Sequence, residues 1–329
     1  MPQKILIIRF SSIGDIVLTS PVVRCIRKQL KDVEIHFLTK KKFSIIVESN
    51  PNIDKVFAIE KSVSEVIPDL RAEKYDHIVD LHKNLRSHMV IAGLMRPYSS
   101  FSKLNFKKWM LVRFKNDSMP PIHIVDRYMK AAEQLGVVND KQGLDFFIPP
   151  DQQVDVSGFP VPFNHAYVGI ILGGKHNTKL LPIDKVIEII VRLNQPVILL
   201  GGPEDKTRSA LIASIPGLEV IDACGKYNLM QSASLVQQAL AIITNDTGLM
   251  HIAAAFQKPI VSVWGNTVPE LGMVPYLKKE IPQMIAEVKD LNCRPCSKIG
   301  FDNCPKNHFK CMRDQDAEAI ADFVNKIQI

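Results

Sequence analysis

The stretch Ile5-Leu6-Ile7-Ile8-Arg9-Phe10-Ser11-Ser12-Ile13-Gly14-Asp15, followed shortly by Thr19-Ser20-Pro21, decides the fold class. An unbroken apolar run of this length reads as a strand covered on both faces, the habit of parallel sheets. A small-residue loop with a glycine follows. Then a proline behind two hydroxyl residues marks a helix start, with a capping hydroxyl and a proline that needs no N–H partner. Strand, loop and helix in that order open a βαβ unit.

The same rhythm recurs outward from this stretch. Residues 5–10, 34–38, 55–58 and 77–80 read as strands in the first half, and 127–135 as a helix stopped by Gly136. In the second half, 167–172, 197–200, 219–222, 241–244 and 260–263 read as strands, with helices over 183–192, 230–239 and 316–327. A chain of 329 residues exceeds one ordinary core. The proline-rich stretch 148–165 reads as a linker, giving an α/β chain with two doubly wound domains, 1–155 and 156–329, and a cleft between them. No apolar run approaches the roughly 20 residues of a spanning helix. The N-terminus lacks a small-residue cleavage site, so it reads as a buried strand and not a signal peptide, and a cytoplasmic location is expected.

The net charge of +7 is uneven: residues 1–150 hold 24 Lys/Arg against 16 Asp/Glu, and 151–329 hold 17 against 18. A solvated surface accounts for such an excess as well as an anionic partner does. The stretch 101–115 interleaves Lys103, Lys107, Lys108, Arg113 and Lys115 with Phe101, Phe106, Trp109 and Phe114. That pattern suits a segment lying among phosphate headgroups, and it equally suits a basic-rimmed core helix.

Four motifs stand where open α/β sheets bind ligands, just past strand ends. Gly14-Asp15 places a small carboxylate that can take a proton from an attacking hydroxyl, or can simply cap the next helix. Thr244-Asn245-Asp246-Thr247-Gly248-Leu249-Met250-His251 opens a helix whose free N–H groups suit a diphosphate, with His251 one turn beyond Thr247; a capped core helix with an internal histidine is the plainer alternative. Gly173-Gly174-Lys175-His176-Asn177-Thr178-Lys179 supplies ammonium groups and a hydroxyl for a departing diphosphate. Gly201-Gly202-Pro203-Glu204-Asp205 offers a carboxylate for ribose hydroxyls, or an ordinary turn. The run Gly169 to Lys175 approaches a P-loop, but His176 stands where magnesium needs a hydroxyl. No GxGxxG occurs, which argues against a nicotinamide dehydrogenase. Cys293, Cys296, Cys304 and Cys311, with His308 as substitute, can hold a structural zinc, although the second C-x2-C knuckle is absent.

Taken in order, Ile7 to Val17, Asp80-Leu81-His82-Lys83-Asn84-Leu85-Arg86-Ser87, His123 to Tyr128, and Asp246 to Ala255 resemble the heptosyltransferases, glycosyltransferase family 9, over essentially the whole chain. The resemblance implies a GT-B fold of two Rossmann-like domains, the acceptor on the first and the sugar nucleotide on the second. It implies inverting transfer of heptose from ADP-heptose to the lipopolysaccharide inner core, without a required cofactor or bound metal. Asp15 is then the general base, and Lys179 meets the donor phosphates. Ser12, Gly14, Thr178, Glu204 or Asp205, Asp246, Thr247, Gly248 and His251 lie on the donor. Asn84, Arg86 and Arg127 lie on the acceptor. The partners implied are an ADP-sugar, a lipid-linked acidic glycan and the cytoplasmic face of the inner membrane, not nucleic acid. Another nucleotide sugar, or a non-catalytic nucleotide-sugar or anionic-lipid binder, are the competing expectations. The chain departs from the family at Leu181, where an aromatic is common before Pro182, and in the loop before Lys179. Both departures are expected to border the donor.

Overall fold

Ile5, Leu6, Ile7 and Ile8 are fully buried because the strand that carries them lies at the centre of a sheet covered on both faces. In the computed structural model, which describes residues 2–327, that strand is β1 (Gln3–Ile8). With β2 (Val33–Lys40), β3 (Lys55–Ile59), β4 (His77–Asp80) and β5 (Tyr98–Ser100) it forms an all-parallel sheet of order β3-β2-β1-β4-β5. The chain runs outward from β1 through β2 to β3, then returns to place β4 on the other side. The gap between the carboxyl ends of β1 and β4 is therefore the switch point of the sheet, where open α/β proteins bind ligands.

A second all-parallel sheet has β6 (Val168–Ile171), β7 (Val197–Leu200), β8 (Val220–Asp222), β9 (Ala241–Asn245), β10 (Ile260–Trp264) and β11 (Gln283–Glu287) in the order β11-β10-β9-β6-β7-β8. Its switch point lies between β6 and β9. Strands β5 and β11 escape the sequence reading for the same reason. Each is a short edge strand with polar residues, Tyr98-Ser99-Ser100 and Gln283 to Glu287, so neither carries an apolar run.

The helix expected at Pro21 spans Ser20–Gln29, but Thr19 does not cap it: its hydroxyl donates back to the Ile16 carbonyl at 2.6 Å. The helix expected over 127–135 spans Ile124–Ala132 and tightens into a 3-10 turn, Glu133–Leu135, ended by Gly136 at φ 75°.

The chain divides into one unit of Met1–Lys103 with Ile122–Phe147 and another of Leu104–Pro121 with Ile148–Ile329. Two features differ from the sequence reading. The stretch 148–165 is not a free tether: the Val154 N–H donates to Ser234 Oγ at 2.9 Å, and Gln238 donates to the Val154 carbonyl at 2.9 Å, pinning it to the helix Leu229–Gln238. The basic segment Leu104–Pro121 packs with the second unit, where Leu111 sits against Val268 and Leu271. Counting Lys107, Lys108, Arg113, Lys115 and Asp117 there, the first unit holds 20 Lys/Arg and 15 Asp/Glu, the second 21 and 19. The excess of positive charge is shared, +5 and +2.

At the opposite edge of the first sheet from β1's carboxyl end, Lys4 and Lys55 both bind Glu73, at 2.6 and 2.7 Å. Hydrogen bonds from these two ammonium groups pull the Glu73 carboxyl down to about 2, against 4.5 unperturbed. A depressed carboxylate contributes stability that is present above 4.5 and lost as pH falls toward 2. Glu73→Gln should therefore lower the melting temperature at neutral pH, and the gap to the wild type should close between those limits in melts run across pH.

Candidate active site

In the first unit the loops after β1 and β4 meet around Arg9. Arg9 is only 7% exposed and ends up fully engaged. Its Nε donates to the Ser11 carbonyl at 2.9 Å, another nitrogen donates to the Leu81 carbonyl, and the third lies 2.6 Å from Asp15 Oδ1. The guanidinium carbon stands 5.5 Å from the Tyr128 ring centre. Asp15 Oδ2 accepts from the Ser12 N–H at 3.1 Å and the Ser12 hydroxyl at 2.8 Å. One oxygen closes the capping box of the helix Ile13–Val17, and the other faces Arg9. Buried Tyr128 also bonds Asp15, and burial first, then the Asp15 charge, pushes its phenol up.

The loop after β4 is shaped by Asp80, which is fully buried. Its carboxylate accepts from the N–H groups of His82 (2.9 Å) and Lys83 (2.8 Å) and from the Ser87 hydroxyl (2.7 Å). His82 packs edge-on against Phe10, with ring centres 5.2 Å apart. Burial, then the Arg9 charge, pushes its imidazole down to about 3, so it stands neutral beside the Arg9–Asp15 pair. Asn84 accepts from the Ser87 N–H at 3.0 Å and caps the helix Leu85–Leu94, with Arg86 exposed beside it. Arg127 is 3% exposed, and burial lowers its pKa; it lies inside the unit. Arg9, Tyr128 and His82 lie within the family-like motifs, but nothing in the sequence gives them a role. Their signal is positional, since each becomes meaningful only when β1 and β4 are known to be neighbours.

In the second unit the loops after β6 and β9 meet at an ion pair: Lys179 Nζ lies 2.5 Å from Asp246 Oδ2. Thr267, after β10, donates to the same oxygen at 3.0 Å. Asn245 fastens the two loops, its amide donating to the Ile171 and Leu172 carbonyls and its carbonyl accepting from the Leu181 N–H, all at 3.2 Å. Thr247 is the cap residue of the helix Gly248–Ala255, yet its side chain makes no capping bond. Asp246 is turned to Lys179 instead of to the helix. The first-turn N–H groups receive no capping bond from Thr247, and a helix start close to an ammonium group suits an anion. His251 is 2% exposed, within the helix's buried face.

Three expectations change here. Thr178 is 2% exposed, and its hydroxyl donates to the Phe301 carbonyl (2.9 Å) and accepts from the Phe301 N–H (2.8 Å), so it ties the loop to the cysteine-rich segment. Leu181 is 4% exposed and packed in the unit's core, so this departure from the family's pattern is a core residue. Between the two acids after β7, Asp205 is buried, accepts from the Gly202 N–H at 2.9 Å and is pushed up by burial, whereas Glu204 is exposed. Gly173 and Gly201 make room for Asp205, since a Cβ on either would sit 2.7 or 2.6 Å from Oδ2. Of the two, Glu204 is the carboxylate that stays exposed.

Among the described residues, Cys293, Cys296, Cys304 and Cys311 are electrostatic neighbours but do not bring three ligand atoms within 4.8 Å of one another. Cys293 Sγ lies 3.7 Å from His308 Nε2, but Cys296 donates to the Cys293 carbonyl at 3.1 Å, and Cys311 is packed in the core. Burial, with neighbouring thiols adding to it, pushes Cys296 up to about 11 and Cys311 up to about 12. Among the described residues, the one set of three ligand atoms within 4.8 Å of one another is Glu34, His36 and Glu73. Lys4 and Lys55 already neutralise that set.

Residues 63–302 match the model of glycosyltransferase family 9 (heptosyltransferase). The chain is 25% identical over 293 residues to lipopolysaccharide heptosyltransferase 1 of Campylobacter coli, covering 80% of this chain and 84% of that one. The structure is similar to that of a glycosyl transferase family 9 protein from Veillonella parvula, with a TM-score of 0.81, 23% identity and coverage of 99% and 97%. It is also similar to the E. coli ADP-heptose lipopolysaccharide heptosyltransferase II, with a TM-score of 0.74, 19% identity and coverage of 99% and 98%. The fold is of the GT-B type.

Thr178→Val should leave the Phe301 N–H without its partner and cost about 1–3 kcal/mol in denaturant unfolding.

Proposed function

We propose that this chain, which belongs to glycosyltransferase family 9, moves a heptose from ADP-heptose to an acidic sugar of the lipopolysaccharide inner core, with inversion. The observation that carries the reading is the placement of the chemistry. Asp15 stands at the switch point of the first sheet, and Lys179 and Asp246 stand at the switch point of the second.

On this reading the acceptor hydroxyl attacks the anomeric carbon while Asp15 takes its proton. The bond to the diphosphate oxygen breaks as the new glycosidic bond forms. Ser12 and Gly14, expected on the donor, shape the loop that presents Asp15. The ammonium group of Lys179 and the N–H groups at Thr247 and Gly248 meet the charge that develops on the leaving ADP. Asp246 aims Lys179, His251 supports the helix from inside, and exposed Glu204 meets the ribose. Asn84 and Arg86 lie on the acceptor side, where a guanidinium suits a sugar carboxylate or phosphate. Buried Arg127 supports that side from within. Residues of the chain supply each of these roles, with no resident metal in the proposed step. A lipid-anchored acceptor places the work at the cytoplasmic face of the inner membrane. Among the described residues no helix is long and apolar enough to cross a membrane, so the reading takes attachment there as peripheral.

A panel of nucleotide sugars, read by release of the nucleoside diphosphate in the presence of a core acceptor, tests the assignment. ADP-heptose should be turned over well ahead of UDP- and GDP-sugars; a different preferred donor overturns it. Lys179→Met should weaken ADP binding and slow transfer, each by about tenfold or more. Unchanged ADP affinity in calorimetry would remove Lys179 from the site.

A further inference from the structure

The helix Asn105–Phe114 presents an apolar surface that nothing in its own unit covers. Helical geometry divides its side chains into two arcs. Leu111 faces inward onto Val268 and Leu271, and Lys115 beyond the end is tied to the Pro295 carbonyl at 2.5 Å. The solvent side carries Phe106, Trp109 and Phe114, which are 72%, 52% and 58% exposed. These three rings contact one another, with centres 5.9 Å apart between Phe106 and Trp109 and 5.2 Å between Trp109 and Phe114. They form one patch and not three scattered residues. Lys107 and Arg113 flank the patch, both exposed and without an ion pair among the described residues. From Phe101 to Asn116 there is no acidic residue.

Exposed aromatics held together and rimmed by unpaired cations fit a surface that is apolar below and anionic above. We propose that the helix Asn105–Phe114 is the element that docks this protein on an anionic phospholipid bilayer, its three rings seated among the headgroups and acyl ends while Lys107 and Arg113 meet lipid phosphates. The inference deepens the reading that the acceptor is lipid-anchored and rests on it for its purpose, but its test needs neither donor nor acceptor.

The two tryptophans make the test direct, because Trp264 is 1% exposed in the core while Trp109 lies in the patch. Vesicles of mixed phosphatidylglycerol and phosphatidylcholine should shift the tryptophan emission of the full chain to the blue and carry it down in sedimentation. Phosphatidylcholine alone should do so weakly, and added salt should reverse the binding. Phe106→Ser with Trp109→Ser should reduce vesicle sedimentation by about tenfold or more. Lys107→Glu with Arg113→Glu should reduce it severalfold, with the Trp109 emission of the free protein unchanged. Both pairs should keep wild-type transfer to a water-soluble core acceptor. Vesicle binding that neither pair weakens, an absent blue shift, or a blue shift produced by the soluble acceptor without vesicles would each overturn the proposal. The last outcome would make the patch a glycan-binding surface. Failure of the donor panel leaves these readouts untouched, so the two claims fail separately.

Discussion

Arg9 is withdrawn from water at the end of β1, and a buried guanidinium is costly unless its donors are met. The protein meets them with the Ser11 carbonyl, the Leu81 carbonyl and the Asp15 carboxylate. Those three acceptors belong to the two loops that leave β1 and β4, so one cation fixes both loops at the switch point. Asp15 is thereby held from two sides, by Arg9 on one oxygen and by the Ser12 N–H and hydroxyl on the other. A carboxylate held in this way has little rotational freedom left to lose on meeting a ligand.

The second unit solves the same problem with the charges exchanged. There a carboxylate, Asp246, holds a cation, Lys179, and Thr267 and Asn245 brace the pair and its loops. Parallel strands make both arrangements available, because every strand delivers its carboxyl end to one edge. What differs is the polarity presented to a ligand. The first unit presents a carboxylate, and the second presents positive charge and a helix start, Gly248–Ala255, without a side-chain cap from Thr247.

Much of this was legible from the chain. Ile5 to Ile8 reads as a buried strand from its unbroken apolar run, and the loops after β1, β6, β7 and β9 announce themselves by glycine and by position. What was not legible depends on contacts between residues far apart in sequence. Nothing local separates Glu204 from Asp205; only the packing of Gly173 and Gly201 around Asp205 does so. Thr178 looks like a ligand hydroxyl until its partner Phe301, more than a hundred residues on, is known. The spacing of the four cysteines does not report that Cys311 packs in the core. Likewise the basic segment near residue 110 follows the first unit in sequence but is claimed by the second through Leu111.

The central claim is that Asp15 is held in place to accept a proton and is more than the counter-ion of Arg9. Single-turnover transfer from ADP-heptose, measured for the wild type and for Asp15→Asn together with melting curves and ADP affinity, tests it most directly. Asp15→Asn should remain folded and bind ADP normally, yet transfer about a hundredfold to ten-thousandfold more slowly. Transfer within a few-fold of the wild type by the folded variant would contradict it.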